Sequence, residues 1–220
     1  MTAAEEALRM ELAAEASRLH REGLVWGASG NISARPPGGD WCLIKPSGKR
    51  LGELKPRDFV KLRIPTGEPF EEGVRPSIET PLHTRLYSTR PKLGAIVHLH
   101  SFNSTLLSIL GAPLQVLSVE ALEAPALALG VPLAEYAPPG SLELAENVSQ
   151  VITGRMACLL AYHGSVTLGR TIREAATNAI VLERLASLQV AALGAGVKPQ
   201  TPCRLRDLLL EEVEKRGSLV

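Results

Sequence analysis

The sequence contains few cysteines and no cysteine pair. Its three cysteines, Cys42, Cys158 and Cys203, are far apart and form no CxxC motif. A disulfide framework or a zinc site built from thiolates requires grouped cysteines, so neither is expected here. The three residues are predicted to be buried thiols.

The chain also lacks net charge and long hydrophobic runs. It has 24 basic and 23 acidic residues, so it produces no overall field that would attract a nucleic acid or a membrane surface. No apolar stretch approaches the roughly 18 residues of a membrane span, and the first ten residues include Glu5 and Glu6 instead of a basic patch before an apolar run. We therefore expect a cytoplasmic protein with no nucleic-acid or membrane partner.

The composition itself is that of a globular protein. The 220 residues are 45% hydrophobic and 21% charged, which supplies enough apolar material for a core. The length lies within the range of one compact domain, and the sequence contains no repeat or low-complexity tract. We predict a single domain over residues 1–220.

Helical and extended patterns alternate along the chain. Thr2 with Glu5, and Thr171 with Glu174, form capping-box patterns that begin two helices. Further helices are predicted from Ile78 to Arg90 and over 101–110, 141–153 and 205–213. Short strands are predicted over 32–34, 41–45, 59–63, 94–98, 157–162 and 166–168. The patterns predict a layered α/β domain with a mostly antiparallel sheet.

The five histidines include a His98-Leu99-His100 motif at the end of an apolar strand. Alternation along a strand places the two imidazoles on the same side, where both can bind one metal ion. His163 follows another apolar strand and precedes Gly164, so it is the natural third ligand. Catalytic zinc commonly has about three protein ligands and one open position. These residues predict a catalytic zinc site.

The fourth ligand has two candidates. Glu79 and His83 are four residues apart on the predicted helix, so either side chain can reach the same metal ion. The carboxylate of Glu79 is the preferred fourth ligand. A structural interpretation also stands at this stage. In that interpretation, the HxH motif is a polar strand end, His163 is a hydrogen-bonded core residue, and Glu79 and His83 are a pair on the solvent-facing surface of the helix.

Three segments carry groups that bind anions. Ser29-Gly30-Asn31 and Lys45-Pro46-Ser47-Gly48-Lys49 offer hydroxyls, a carboxamide and backbone N–H groups, which are the donors that a phosphate needs. Ser77 precedes the predicted helix, whose N-terminus favours an anion. Such motifs also form ordinary turns and helix caps, so each one alone is weak.

Taken in order, these motifs resemble the class II aldolase and adducin-head superfamily, in particular its fuculose-phosphate aldolase branch. The resemblance spans nearly the whole chain. It is carried by the segments GASGNIS (27–33), IKPSG (44–48), PSIE (76–79), AIVHLHS (95–101) and LLAYHG (159–164). The order and spacing of the segments make it more specific than any single motif.

The resemblance implies a three-layer α/β/α fold and a homotetramer with active sites between subunits. It implies one Zn²⁺ per subunit, bound by His98, His100 and His163 and approached by Glu79, which also serves as the acid/base group. It further implies that a small phosphorylated sugar binds through its phosphate. The residues matched to that role are Asn31, Ser47, Gly48 and Ser77, and the donors of the first loop add Ser29 and Gly30 to the predicted phosphate site.

The expected activity is the reversible cleavage of a ketose 1-phosphate, such as L-fuculose 1-phosphate, to dihydroxyacetone phosphate and a small aldehyde. The chain departs from the aldolase pattern at Ile78, where a second phosphate-binding serine is common, and at Lys45 and Ser47, which replace threonines. Alternatives on the same scaffold are a sugar-phosphate 4-epimerase, a dehydratase, a sugar-acid-phosphate decarboxylase and a noncatalytic adducin-head-like domain.

Overall fold

The computed structural model of the chain describes residues 2–217. The helices are α1 (Ala3–Arg21), α2 (Thr80–Thr89), α3 (Phe102–Ile109), α4 (Leu142–Val151), α5 (Ile172–Gly194) and α6 (Cys203–Lys215). The strands are β1 (Asn31–Ala34), β2 (Trp41–Ile44), β3 (Val60–Arg63), β4 (Ala95–Leu99), β5 (Leu133–Ala134), β6 (Ala157–Leu160) and β7 (Gly164–Gly169). Among residues 2–217, no helix is both long enough and apolar enough to cross a membrane.

The strands form one seven-stranded sheet in the order β3-β2-β1-β4-β7-β6-β5. The sheet is mixed, and this corrects the prediction of a mostly antiparallel sheet: β5 lies parallel to β6, while the other neighbouring strands are antiparallel. The sequence gives no signal for β5, because a two-residue strand is too short to show alternation.

Helices cover both faces of the central strand β4. On one side, Ile96 belongs to a cluster of buried side chains from α2 and α4. On the other side, Ala95 and Val97 pack in a cluster with residues of α1 and α5. This alternation is what a strand buried on both faces produces, and it places His98 on the same side of the strand as Ile96.

The ends of the helices follow from local chemistry. The hydroxyl of Thr2 accepts a hydrogen bond from the N–H of Glu5, and that of Thr171 accepts one from the N–H of Glu174, as the capping boxes predict. The predicted helix from Ile78 starts later, at Thr80, since Pro81 has no N–H group and fits only the first turn. Glu79 is therefore the residue that precedes the helix, not a member of it.

The three cysteines are free thiols, as expected from their spacing. Cys42 and Cys158 are buried in β2 and β6, and burial raises the pKa of each thiol to about 12. Cys203 is exposed at the beginning of α6, so the prediction that it is buried is wrong.

Candidate active site

The sheet brings the three predicted histidine ligands together. His98 is opposite Asn31 of β1 on one side and Val166 of β7 on the other. His163 lies in the turn between β6 and β7, and the next residue is held against β4: a Cβ atom at Gly164 would lie 2.2 Å from the carbonyl oxygen of Leu99. Only glycine fits there, and this close approach places His163 beside the HxH motif.

The imidazoles of His98, His100 and His163 form a compact group. The Nε2 atoms of His98 and His100 are 3.0 Å apart, and the ring centroids of the three pairs are 4.8, 4.8 and 4.6 Å apart. One potential ligand atom from each residue lies within 4.8 Å of the other two. Three ring nitrogens that converge in this way fit the protein ligands of a catalytic zinc site.

The hydrogen bonding of these rings also fits a metal. The Nδ1–H of His98 donates to the carbonyl oxygen of Ser165 at 3.0 Å, which leaves the lone pair of Nε2 directed to the group. Both ring nitrogens of His163 and Oε2 of Glu79 are buried without a hydrogen-bond partner. Buried polar atoms are rarely left unpaired, so these atoms have the character of ligands for an ion.

The protonation states agree with this arrangement. Burial lowers the pKa of His100 to about 4, and it lowers the pKa of His98 well below the ordinary histidine value. Burial lowers the pKa of His163 as well. The three imidazoles are therefore neutral near neutral pH, and a neutral imidazole is the form that binds metal.

Glu79 lies at the edge of the histidine group. Its Oε1 is 3.9 Å from Nε2 of His163, and the residue is only 4% exposed. Burial raises the pKa of its carboxyl group to about 7, although a hydrogen bond from the backbone N–H of Gly140 acts in the opposite direction. A carboxyl group with this pKa exchanges a proton readily at neutral pH.

His83, the other candidate for the fourth ligand, has a different role. Its Nδ1 is 2.6 Å from the hydroxyl of Ser33, and its Nε2 is 2.5 Å from Oδ1 of Asn31. Both ring nitrogens are therefore occupied, and the expectation that Glu79 and His83 address the same point is wrong. Glu79 precedes the helix while His83 lies within it, so the helical spacing does not apply to the pair.

A polar cavity of about 230 Å³ opens beside the histidines. All six predicted phosphate-binding residues line it, together with His100, His163 and Glu79. The six are Ser29, Gly30, Asn31, Ser47, Gly48 and Ser77. Two of the contributing loops are joined by backbone hydrogen bonds: the Ser47 N–H donates to the Arg75 carbonyl at 2.9 Å, and the Ser77 N–H donates to the Lys45 carbonyl at 3.0 Å.

The six residues differ in how free their polar groups are. The hydroxyl of Ser29 donates to the carbonyl of Trp26 at 2.5 Å, and the hydroxyl of Ser77 accepts from the N–H of Glu79 at 3.2 Å. Oδ1 of Asn31 is held by His83, so its amide nitrogen is the donor that remains. Gly30 has a φ of +71°, and a Cβ atom there would lie 2.9 Å from the His98 carbonyl oxygen.

The cavity also contains a cation that sequence reasoning passes over. Lys45 is only 3% exposed, and burial lowers the pKa of its amine. Its Nζ donates to the carbonyls of Ala28 at 3.0 Å and Pro46 at 3.4 Å, which leaves a third N–H for an anion. Lysine at a strand end usually indicates a solvated surface, so the residue type alone gives no signal. The only signal is its place in the loop that contains Ser47 and Gly48.

Comparison with known proteins agrees with this geometry. The sequence profile described as "Class II Aldolase and Adducin N-terminal domain" matches residues 10–190. The chain belongs to this class II aldolase family. This confirms the family resemblance found in the sequence, and it confirms the prediction that the chain is an enzyme of this family.

Relatives within the class II aldolase family catalyse different reactions. The chain is 34% identical to the 5-methylthioribulose-1-phosphate/5-deoxyribulose-1-phosphate aldolase of Rhodospirillum rubrum, over 96% of this chain and 93% of that protein. It is 36% identical to the 3-oxo-tetronate 4-phosphate decarboxylase of Escherichia coli, over 84% of this chain and 86% of that protein. A solved L-fuculose 1-phosphate aldolase superimposes with a TM-score of 0.84 and 29% identity, over 94% of this chain and 96% of that one.

Proposed function

We propose that this member of the class II aldolase family is a zinc-dependent aldolase. It reversibly cleaves a ketose 1-phosphate, such as L-fuculose 1-phosphate, to dihydroxyacetone phosphate and a small aldehyde. The observation that carries the proposal is a single cavity in which phosphate donors, Glu79 and two of the three clustered histidines face the same space. This arrangement supports a site in which the phosphate of the substrate would lie next to the groups that act on its carbon–carbon bond.

The phosphate end of the substrate binds in the polar cavity. The amine of Lys45, the amide nitrogen of Asn31 and backbone N–H groups at the glycines provide donors from two separate loops. Ser47 and Ser77 border the same space. Lys45 supplies the charge that compensates for Ile78, which stands where a second phosphate-binding serine is common in this family.

Glu79 is assigned the proton transfer at the carbon next to the ketone. In the direction of synthesis, its carboxylate removes a proton from that carbon of dihydroxyacetone phosphate; in cleavage, the carboxyl group returns the proton. Burial raises the pKa of this carboxyl group, which favours the protonated form that the cleavage direction uses. One zinc ion per subunit, bound by His98, His100 and His163 and approached by Glu79, would polarise the ketone and stabilise the negative charge that develops beside it.

We also propose a single three-layer α/β/α domain in a homotetramer with active sites between subunits. The packing of α2 and α4 on one face of β4, and of α1 and α5 on the other, supports the layers. The assembly rests on the family resemblance and is measured by sedimentation of the purified chain. The predicted domain bounds, 1–220, include Met1 and 218–220, which lie outside the described residues.

The second candidate is decarboxylation, and the 36% identity to the 3-oxo-tetronate 4-phosphate decarboxylase favours it over the epimerase, dehydratase and adducin-like alternatives. Loss of CO₂ from 3-oxo-tetronate 4-phosphate leaves dihydroxyacetone phosphate, as aldol cleavage of a ketose 1-phosphate does. Both reactions break a bond to the carbon beside the ketone and leave negative charge on that carbon. The fragment that departs distinguishes them.

The test measures both products of each reaction. Zinc-loaded and metal-stripped protein are incubated with L-fuculose 1-phosphate, 5-methylthioribulose 1-phosphate and 3-oxo-tetronate 4-phosphate, and dihydroxyacetone phosphate, aldehyde and CO₂ are followed. Zinc-dependent release of aldehyde from a ketose 1-phosphate supports the proposal. Release of CO₂ alone would replace it with the decarboxylase assignment.

A further inference from the structure

His100 lies between two elements: β4, which ends at Leu99, and α3, which begins at Phe102. The sheet fixes its position on the strand side, since Leu99 pairs with Ser165 of β7. On the other side, its position depends on how α3 begins. His100 and one side of α3 also border a second cavity, of about 390 Å³.

The imidazole of His100 is not oriented by a hydrogen bond to the protein. The ring of His98 is held by the bond from its Nδ1–H to the carbonyl of Ser165. Within the described residues 2–217, no group bonds to Nδ1 of His100, and its Nε2 faces the Nε2 of His98 at 3.0 Å. A histidine that binds metal usually takes its orientation from a bond at the other ring nitrogen. The orientation of His100 therefore depends on the backbone that carries it.

The start of α3 is capped by a carboxylate from another helix. Oε1 of Glu183 in α5 accepts hydrogen bonds from the backbone N–H of Asn103 at 2.7 Å and from its side-chain amide at 2.9 Å, and Oε2 accepts one from the N–H of Ser104 at 2.9 Å. Ser101, which precedes the helix, makes no side-chain cap, because its hydroxyl contacts that of Ser104 at 2.9 Å. Glu183 takes the place of this missing cap, at the end of the helix that favours negative charge.

The same helix, α5, also holds the segment that follows α3. Oε1 of Gln189 accepts a hydrogen bond from the N–H of Gln115 at 2.6 Å, and its Nε2 donates to the carbonyl of Pro113 at 2.9 Å. α5 is thus bonded to both ends of the α3 region. Only the bonds of Glu183 lie at the end next to His100.

From this geometry we propose that Glu183 is a positioning residue for the metal site. By fixing the first turn of α3 against α5, it keeps the imidazole of His100 within reach of the same ion as His98 and His163. Its role is then in the affinity and geometry of metal binding, beyond the stability of the helix. The inference rests on the proposed zinc site and is independent of which substrate is cleaved.

The zinc affinity of the full chain tests this role. Glu183→Ala removes the acceptors of all three hydrogen bonds, and we expect zinc to bind about tenfold more weakly in competition with a chromophoric chelator, the lower end of the range for groups that orient a metal ligand. Glu183→Gln retains one acceptor, so its affinity is expected to lie between the two. Wild-type affinity in Glu183→Ala, or in Glu183→Gln where the alanine variant does not fold, would overturn the proposal.

Gln189→Ala is the matched control. It removes two hydrogen bonds between α5 and the segment after α3, so the urea midpoint of metal-stripped protein should fall in this variant as it does in Glu183→Ala. Its zinc affinity should equal that of wild type, because the end of α3 next to His100 is unaffected. If Gln189→Ala weakens zinc binding as much as Glu183→Ala does, the loss reflects a general loosening of the helix and the proposal is wrong.

Cobalt reports the geometry of the site without any substrate. The visible absorption of bound Co²⁺ depends on the number and arrangement of its ligands. We expect Glu183→Ala to shift the cobalt bands and Gln189→Ala to leave them unchanged. Identical spectra in wild type and Glu183→Ala would show that His100 keeps its place without Glu183, which rejects this inference and leaves the metal site standing. A wild-type chain that binds neither ion would refute the metal site of the proposed function and this inference with it.

Discussion

Nε2 of His83 lies 2.5 Å from Oδ1 of Asn31, and through this contact a buried histidine sets the orientation of a residue in the polar cavity. The other ring nitrogen, Nδ1, is 2.6 Å from the hydroxyl of Ser33, which in turn is 2.8 Å from the hydroxyl of Tyr87. His83 therefore fixes the amide oxygen of Asn31, and the amide nitrogen remains as a donor for the proposed phosphate site. His83 is a positioning residue that does not itself line the cavity.

Replacing His83 is expected to weaken both the fold and substrate binding. His83→Leu leaves Oδ1 of Asn31 buried without its partner, at a cost of roughly 1–3 kcal/mol, whereas Ser33 keeps its contact with Tyr87. We expect lower stability in urea and a raised KM with a smaller change in kcat. Tyr87→Phe is the matched control: it removes one hydroxyl from the same chain of contacts, so stability falls by about 1 kcal/mol and KM is unchanged. An unchanged KM in His83→Leu would contradict the positioning role.

The contribution of His83 to stability is expected to depend on pH. Burial lowers its pKa from the ordinary 6.5 to about 3. Between these values only the unfolded chain binds the proton, so the stability that this residue contributes is present above pH 6.5 and is lost as the pH falls. The difference in the free energy of unfolding between wild type and His83→Leu should narrow by roughly 2–3 kcal/mol from pH 7 to pH 4.5. Urea unfolding of metal-stripped protein measures it, and a constant difference would refute the buried neutral state.

Metal binding and proton transfer are expected to separate in two variants. His98→Ala removes a ligand, so bound zinc and aldehyde release are lost together. Glu79→Gln keeps the three imidazoles, so the protein retains zinc while kcat falls by about 10²–10⁴-fold. Zinc content by atomic absorption and turnover are measured on the same samples. Full turnover in Glu79→Gln would exclude Glu79 as the base.

Lys45 is expected to bind the phosphate. Lys45→Met should raise KM for a ketose 1-phosphate by about 10–100-fold, the scale of one charged hydrogen bond, with a smaller change in kcat. Lys49→Met is the control, because Lys49 belongs to the same loop but is exposed and pairs with Asp58 at 2.7 Å. If the two substitutions raised KM equally, the effect would come from the loss of positive charge near the site and Lys45 would have no direct contact with the phosphate.

Alanine substitutions at two glycines of the polar cavity are expected to have different effects, because only one of the glycines packs closely against a neighbouring atom. Gly30 and Gly48 have φ values of +71° and +76°, so alanine strains the backbone at both positions, by about 1–2 kcal/mol. Only at Gly30 does the new Cβ meet a neighbour, the His98 carbonyl oxygen at 2.9 Å. Gly30→Ala should therefore lower zinc affinity as well as stability, whereas Gly48→Ala lowers stability alone. Zinc titration distinguishes the two.

Much of the site could be predicted because its residues lie in short motifs on regular elements. Strand alternation predicts that His98 and His100 lie together, and the hydrogen-bond donors of three loops predict the polar cavity that these loops line. Two kinds of feature could not be predicted from the sequence. The two-residue strand β5 has no period to detect, and the roles of His83 and Lys45 depend on what surrounds them in three dimensions. The grouping of Glu79 with His83 failed because Pro81 delays the start of α2.

His100 lines two cavities: the polar one, which includes the phosphate loops and Glu79, and a second one whose remaining wall comes from the segment before β1 and from α3. Neither Glu79 nor the loop residues 45–48 contribute to that second wall. Substitutions in α3 would therefore change what lies past His100 and leave in place the groups that we propose for the phosphate and for proton transfer.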